Sequence, residues 1–404
     1  MKNAVMILGA GASLEFLRSK CNLCLSTKTL TDWIKSTAIT DLKTCNFGLK
    51  PDAISEVMDS TVNALNKNLG TTFNFEHLIH LVDRYCSMVN DKATKIGFLN
   101  PEEYYSMNLA FADVIKAVLP AKPSKQVVYL PYFLRNLLLR FVSTFSESNE
   151  SSSVWAKFLK RVVSTQDLSI YSLNYDNLMS EANNLSGGRW ETGFSQNTSP
   201  GRFDHSRFYN APQSLAFLHG STRFGPFLSE ATCHGVGFGV GLYGDPSDAA
   251  SARENCGKLP EENQAGEKIY NNYMITGLDK FYTFTCEPYA TYYRKLIKDL
   301  DSADTIWLIG YGGADQHLNL LLQSPLSVGK RFIVVDHRTG EVFGQKVVPD
   351  EHNLRKYIPE AYFAHAADQR YGEIVKFHSH CLWLLTGAER LIRSDDLINE
   401  VTRR

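Results

Sequence analysis

Apolar positions along the chain fall into two patterns. The first is a short unbroken run, seen at Ala4–Leu8, Leu168–Leu173, Ser214–Leu218, Thr305–Ile309 and Phe332–Val335. Such runs read as strands buried on both faces, as in a parallel sheet. Each runs into glycine or polar residues: Gly9-Ala10-Gly11, Asn174-Tyr175-Asp176, His219-Gly220, Gly310-Tyr311-Gly312-Gly313 and Asp336. The second pattern recurs every three to four residues. Leu130, Phe133, Leu134, Leu137, Leu138 and Phe141 share one helical face, with Pro131 suited to the first turn. Tyr289, Tyr292, Tyr293, Leu296 and Leu300 do the same over 287–300. Further amphipathic helices are predicted at 29–35, at 52–69 and from Asn74 to Val82, and a helix opens at Ser13–Leu17. Residues 146–153 read as a serine-rich break and 245–268 as a polar loop. Glycine alternates with apolar residues over 235–241. The last clear strand ends at Asp336, and 350–404 reads mainly as helix with one apolar run at Leu382–Leu385.

Strand, glycine turn and helix in alternation predict an α/β fold with a Rossmann-like parallel sheet. The roughly 150 residues between the first two strands are too many for an ordinary crossover. They predict a mostly helical module, 21–164, inserted into a sheet domain made of 1–20 and 165–345, followed by a C-terminal segment at 346–404.

Composition narrows the function. The 404 residues suffice for two or three domains. A formal net charge of -1 without blocks of one sign gives no support to non-specific nucleic-acid or membrane-surface binding. No run of about 18 apolar residues suggests a membrane span. The start, Met1-Lys2-Asn3-Ala4, leads into a strand with no signal-peptide pattern, so a cytoplasmic protein is expected. Of eight cysteines only Cys21 and Cys24 form a CxxC, and no second pair follows at zinc spacing. No metal is expected.

Open parallel sheets bind ligands beyond the carboxyl ends of their strands. Gly9 and Gly11 permit a tight turn and a close approach of backbone N–H groups to a phosphate, and Ser13 opens a helix there. The third glycine of GxGxxG is replaced by Leu14. Asn174 carries both donor and acceptor, His219 titrates near neutrality, and Asp176 can stabilise positive charge or orient a neighbour. Asn174 and Asp176 equally suit the cap of a following helix, and His219 a satisfied buried histidine.

Four motifs in order, GAGAS at Gly9–Ser13, NYD at Asn174–Asp176, LHGS at Leu218–Ser221 and GYGGAD at Gly310–Asp315, resemble the sirtuin superfamily over residues 1 to about 340. Asn74-Phe75-Glu76 resembles the helical insert of its bacterial branch. The likeness is greater to the sirtuin-like NADases of bacterial antiphage defence than to protein deacetylases. The paired CxxC motifs of the deacetylase zinc module are missing. The proline-aspartate-phenylalanine-arginine run that follows GAGxS in sirtuins is also missing, and the chain reads Leu14-Glu15-Phe16-Leu17-Arg18 instead.

The resemblance implies that NAD+ is the substrate, hydrolysed to nicotinamide and ADP-ribose. Asn174, His219 and Asp176 are then the catalytic residues. Gly9, Ala10, Gly11 and Ser13 lie at the pyrophosphate, with Gly310, Tyr311, Gly312 and Asp315 at the adenosine half; Asp336 holds a ribose hydroxyl. Family members often carry serine where Gly312 stands. The resemblance further implies the toxic effector of an antiphage, abortive-infection system. It implies a homo-oligomer or a trigger supplied in trans by a HerA-type ATPase, an Argonaute-like protein or a nucleotide-processing protein. No direct nucleic-acid or membrane partner is expected. A non-catalytic sensor of NAD or a related nucleotide is the alternative, and an NAD-dependent protein deacylase a third.

Overall fold

The computed structural model describes residues 2–14, 16–19, 63, 75, 76, 78–80, 130–143, 145–147, 149–228, 238–256, 273–276, 286–313, 315–327, 330–336, 341, 342, 345, 346, 370, 371, 374–377, 381–385 and 388–403. The chain divides into two compact units. One comprises Met1–Leu25, Thr144–Ser221 and Phe284–Arg404; the other Ser26–Ser143 and Thr222–Thr283.

The first unit is built on an eight-stranded sheet. Its members are β1 (Lys2–Leu8), β2 (Gln166–Ser172), β3 (Leu215–Phe217), β6 (Thr305–Ile309), β7 (Arg331–Asp336), β8 (Arg370–Tyr371), β9 (Ile374–Phe377) and β10 (Cys381–Leu385). Their order is β8-β9-β10-β7-β6-β1-β2-β3. Every pairing from β10 through β3 is parallel, and β8–β9 and β9–β10 are antiparallel. β1 lies in the middle, with Met6 opposite both Ile170 and Trp307, and Val5 through Leu8 are almost wholly buried. A strand so placed must be apolar on both faces, which is why Ala4–Leu8 is continuous rather than alternating.

Side-chain alternation assigns the two faces. On the Met6–Ile170–Trp307 face lies α3 (Asn149–Val163). Its Phe158 ring meets Trp307 edge-on at 6.3 Å and Trp155 at 5.6 Å. On the opposite face Tyr171 donates at 2.6 Å to Asp299 of α6 (Tyr289–Ser302), and Lys295 of the same helix contacts Asp299 at 3.1 Å. Lys295 is buried, so this pair holds a charged helix face against the sheet. Burial and the neighbouring Asp299 push the Tyr171 hydroxyl well above its ordinary range, so it remains a donor. Tyr289, Tyr292, Tyr293, Leu296 and Leu300 are all buried, as their spacing predicts.

Several sequence expectations are corrected. The run at Leu382–Leu385 is a sheet strand, β10, pairing with β7, so the sheet does not end at Asp336. A five-residue apolar run cannot be told from buried helix by period alone, and pairing decides it. Residues 151–153 are helical, within α3, because Asn149 and Glu150 open a helix whose apolar face packs on the sheet. The helix expected from Ser13 to Leu17 is a single turn, α1 (Gly11–Leu14). Leu17–Ser19 instead pairs antiparallel with Phe145–Glu147. The helices expected at 29–35 and 52–69 lie outside the described residues apart from Asn63. Of the segment from Asn74, residues 75, 76 and 78–80 are helical.

In the second unit, α2 (Leu130–Ser143) buries Leu134, Leu137, Leu138 and Phe141. β4 (Phe224–Leu228) pairs antiparallel with β5 (Phe238–Leu242), so part of the glycine-alternating stretch is a strand. Residues 246–256, expected in a loop, form α5 (Pro246–Cys256). Its anchor is Arg253, 2% exposed, which donates to Asn136 Oδ1 at 3.0 Å and to the carbonyls of Thr222 (3.1 Å) and Phe224 (2.6 Å). Tyr273 lies under its guanidinium at 5.8 Å. Burial pushes that guanidinium down to about 10, still charged at neutral pH. Arg253→Ala leaves three acceptors without their donor, and unfolding in urea should show a loss of about 3 kcal/mol or more.

Candidate active site

The carboxyl ends of β3, β2, β1 and β6 lie side by side in the first unit, and four short loops leave from them. The two central loops, after β1 and β6, interlock through backbone. Gly9 N donates to the Ile309 carbonyl and Gly11 N to the Gly310 carbonyl, both at 3.0 Å, and Gly310 N donates to the Val335 carbonyl at 2.8 Å. A Cβ on Gly310 would lie 2.1 Å from Ala12 N, and one on Gly9 would lie 2.4 Å from the Gly310 carbonyl oxygen. Gly310 also has φ +62°, the left-handed region. These glycines therefore allow backbone to meet backbone. The amides of Ala12 and Ser13 donate to the carbonyls of Gly9 and Ala10. Ala10, exposed, is left as the turn's one N–H without a backbone acceptor among the described residues.

Asn174 follows β2 and reaches back over this turn. Its Nδ2 donates to the Gly9 carbonyl at 2.9 Å and to Ser13 Oγ at 2.8 Å. The Gly9 carbonyl can only accept, so the amide orientation is fixed and both Nδ2 protons are engaged. Asn174 is half-buried, and what it offers outward is Oδ1, an acceptor. Asp176 is buried at 5% exposure; its Oδ1 accepts from the Leu178 amide at 3.0 Å, the start of α4 (Leu178–Leu185). Its Oδ2 is buried and has no hydrogen-bond partner among the described residues. Burial raises the Asp176 carboxyl above the usual carboxylate range, with the Ser13 hydroxyl and the Leu178 amide pulling the other way.

His219 follows β3, and its Nε2 lies 2.9 Å from Oδ2 of Asp315. Both side chains are buried, 8% and 6% exposed. Asp315 Oδ1 accepts from the amides of His317 and Leu318 at 3.1 and 3.2 Å, capping α7 (Gln316–Ser327). β3 and β6 stand three steps apart, roughly 14 Å at about 4.8 Å per step. The contact therefore spans the ends of β1 and β2. Tyr175 lies beside it, its ring centroid 6.2 Å from that of His219.

Of the residues singled out from sequence, Gly9, Ala10, Gly11, Ser13, Asn174, Asp176, His219, Gly310, Tyr311, Gly312 and Asp315 are brought to this one sheet end. Tyr311 is buried and faces inward: its hydroxyl lies 2.7 Å from Asn319 Oδ1 and 3.0 Å from the Asp315 carbonyl. Gly312 is exposed, with open space where a Cβ would stand. Asp336 ends β7, two strands from β1. Asn319 was not foreseen: its Nδ2 donates to the Gly313 carbonyl at 2.8 Å and ties the Gly310–Asp315 loop to α7. The four-residue spacing Asp315–Asn319, one helical turn, is the signal that carries it. Among the described residues, no group of three or more histidine, cysteine, aspartate or glutamate side chains could hold a metal ion, and no helix is long and apolar enough to cross a membrane. Cys21 and Cys24 lie outside the described residues.

No protein-family model matches the chain, and no curated protein does. Among solved structures it is similar to a Sir2 homologue, a triple mutant in complex with 2'-O-acetyl ADP ribose. The two are 13% identical over 100% of this chain and 92% of that one, with a TM-score of 0.41. A likeness this distant carries no argument about the site.

The geometry makes two predictions. Gly310→Ala should cost about 2 kcal/mol or more, from both the positive φ and the collision with Ala12, whereas Gly312→Ser should be neutral within about 0.5 kcal/mol; urea unfolding of both variants checks this. Asp176 has a folded-state carboxyl raised above its unfolded value. Wild type should therefore lose stability as pH rises from about 4 through the raised value. Asp176→Asn keeps an oxygen for the Leu178 amide and never ionises. Calorimetry should show its melting temperature gaining on wild type as pH rises above about 4.

Proposed function

We propose that this chain binds NAD+ at the carboxyl ends of β1, β2, β3 and β6 and hydrolyses it to nicotinamide and ADP-ribose. The observation that carries the reading is the direction of Asn174. With both amide protons engaged by Gly9 and Ser13, its outward oxygen is an acceptor, suited to a ribose hydroxyl or to the attacking water. Beside it stands His219, a buried imidazole held by a carboxylate, the arrangement of a general base.

Cleavage of the nicotinamide–ribose bond passes through a state with oxocarbenium character. A buried carboxylate whose anion is disfavoured by desolvation is stabilised when positive charge arrives, and Asp176 is such a group. The exposed Ala10, whose N–H is not engaged by backbone among the described residues, offers a donor to a pyrophosphate. Gly312, exposed and unobstructed, lets a nucleotide approach that loop closely, and Asp336 is placed at the next strand end but one.

The four motifs also support a cellular role as the effector of antiphage, abortive-infection defence. Uncontrolled NAD loss is lethal to a host, so activity restrained by self-assembly or by a partner supplied in trans belongs to the same reading.

The test is NAD loss by the purified chain, alone and with the protein encoded next to it. His219→Ala and Asn174→Asp should each lower the rate about 100-fold or more. The aspartate is nearly isosteric but sets a carboxylate against the Gly9 carbonyl. If neither preparation consumes NAD while calorimetry shows NAD binding, a sensor replaces the hydrolase.

A further inference from the structure

We infer that Asp315 is a positioning residue that fixes the tautomer of His219, holding the ring proton on Nε2 and leaving the lone pair on Nδ1. A carboxylate only accepts, so across 2.9 Å the imidazole Nε2 must donate. The carboxylate cannot turn away, because its other oxygen is held by the amides of His317 and Leu318 at the start of α7. The loop bearing it is fixed in turn by the Tyr311 hydroxyl, which meets the Asp315 carbonyl and Asn319, and by the Asn319 bond to Gly313. One carboxylate thus caps a helix with one oxygen and orients a ring with the other.

The consequence for chemistry rests on the hydrolase reading above. As the C1'–nitrogen bond breaks, its electron pair passes to the ring nitrogen of the departing nicotinamide. The water oxygen bonds to C1', and a water proton is taken up by the neutral His219 ring. The imidazolium so formed keeps its Nε2 proton against the Asp315 carboxylate, which stabilises the new charge.

The test separates the two readings. In the full chain labelled with 15N-histidine, a long-range 1H–15N spectrum recorded at a pH where the ring is neutral reports the tautomer. The His219 signal is identified by its loss in His219→Gln. Wild type should show the proton on Nε2. In Asp315→Asn the helix amides still claim the side-chain oxygen, so the NH2 group faces the ring and Nε2 becomes an acceptor. The proton should then move to Nδ1. Asparagine caps a helix as well as aspartate, so the melting temperature should hold, while NAD loss falls about 100-fold or more. A wild-type ring protonated on Nδ1, or a tautomer unchanged in Asp315→Asn, overturns the inference. Should Asp315→Asn fold poorly, Asp315→Ser keeps a cap without the carboxylate. It should give a mixture of tautomers, and a pure Nε2–H ring there overturns the inference equally. Wild type that shows the Nε2–H ring, reversed by Asp315→Asn, yet consumes no NAD would sink the hydrolase and leave the tautomer assignment standing.

Discussion

The rest of the first unit depends on how closely the turns after β1 and β6 can approach. Where Gly9, Gly11 and Gly310 meet, no side chain fits between the two backbones, and the hydrogen bonds from Gly9 to Ile309 and from Gly11 to Gly310 run directly across. The depth of that contact sets where the Gly9 carbonyl stands, and the Gly9 carbonyl sets the orientation of Asn174. The next bond outward, Gly310 N to the Val335 carbonyl, passes the same constraint to β7. A backbone contact thus determines a side chain's chemistry.

The site is built by consuming donors. Gly9, Gly11, Ala12 and Ser13 N–H groups and both Asn174 amide protons are engaged within the fold. Asn174 Oδ1 and Asp176 Oδ2 remain as acceptors, with Ala10 as the exposed donor of the turn. Acceptors such as the Asn174 oxygen favour hydroxyl groups, water and cationic centres over anions. The division of labour between the two ends of this loop cluster follows from which hydrogen bonds the backbone makes first.

Much of this was legible in the sequence. The unbroken apolar runs located β1, β2, β3, β6 and β7, and the residues after them located the loops, because a doubly covered parallel strand leaves a period-free signature. Other features are invisible to local pattern. β10 looks like any short apolar run until β7 is placed beside it. α3 begins in serines that read as a break, because its apolar face starts only at Val154 and Trp155. Gly9 and Gly11 were legible as a tight turn but not as a contact with Gly310, since that partner stands on a different strand. The same holds for His219 and Asp315, whose pairing depends on two loops arching over two intervening strands. The amide direction of Asn174 follows from a carbonyl position that only the folded turn defines.

The central place of β1 has a consequence for how the protein is made. It is synthesised before either of the strands that flank it, and Met6 finds its neighbours only when Ile170 and then Trp307 have followed. At about 5–20 residues per second the delay is on the order of tens of seconds. Both edges of β1 stay open until β2 follows, and the second stays open until β6 does; His219 meanwhile lacks its carboxylate partner. Asp315 emerges after all of them. A chain interrupted anywhere before that point cannot close the histidine against its carboxylate.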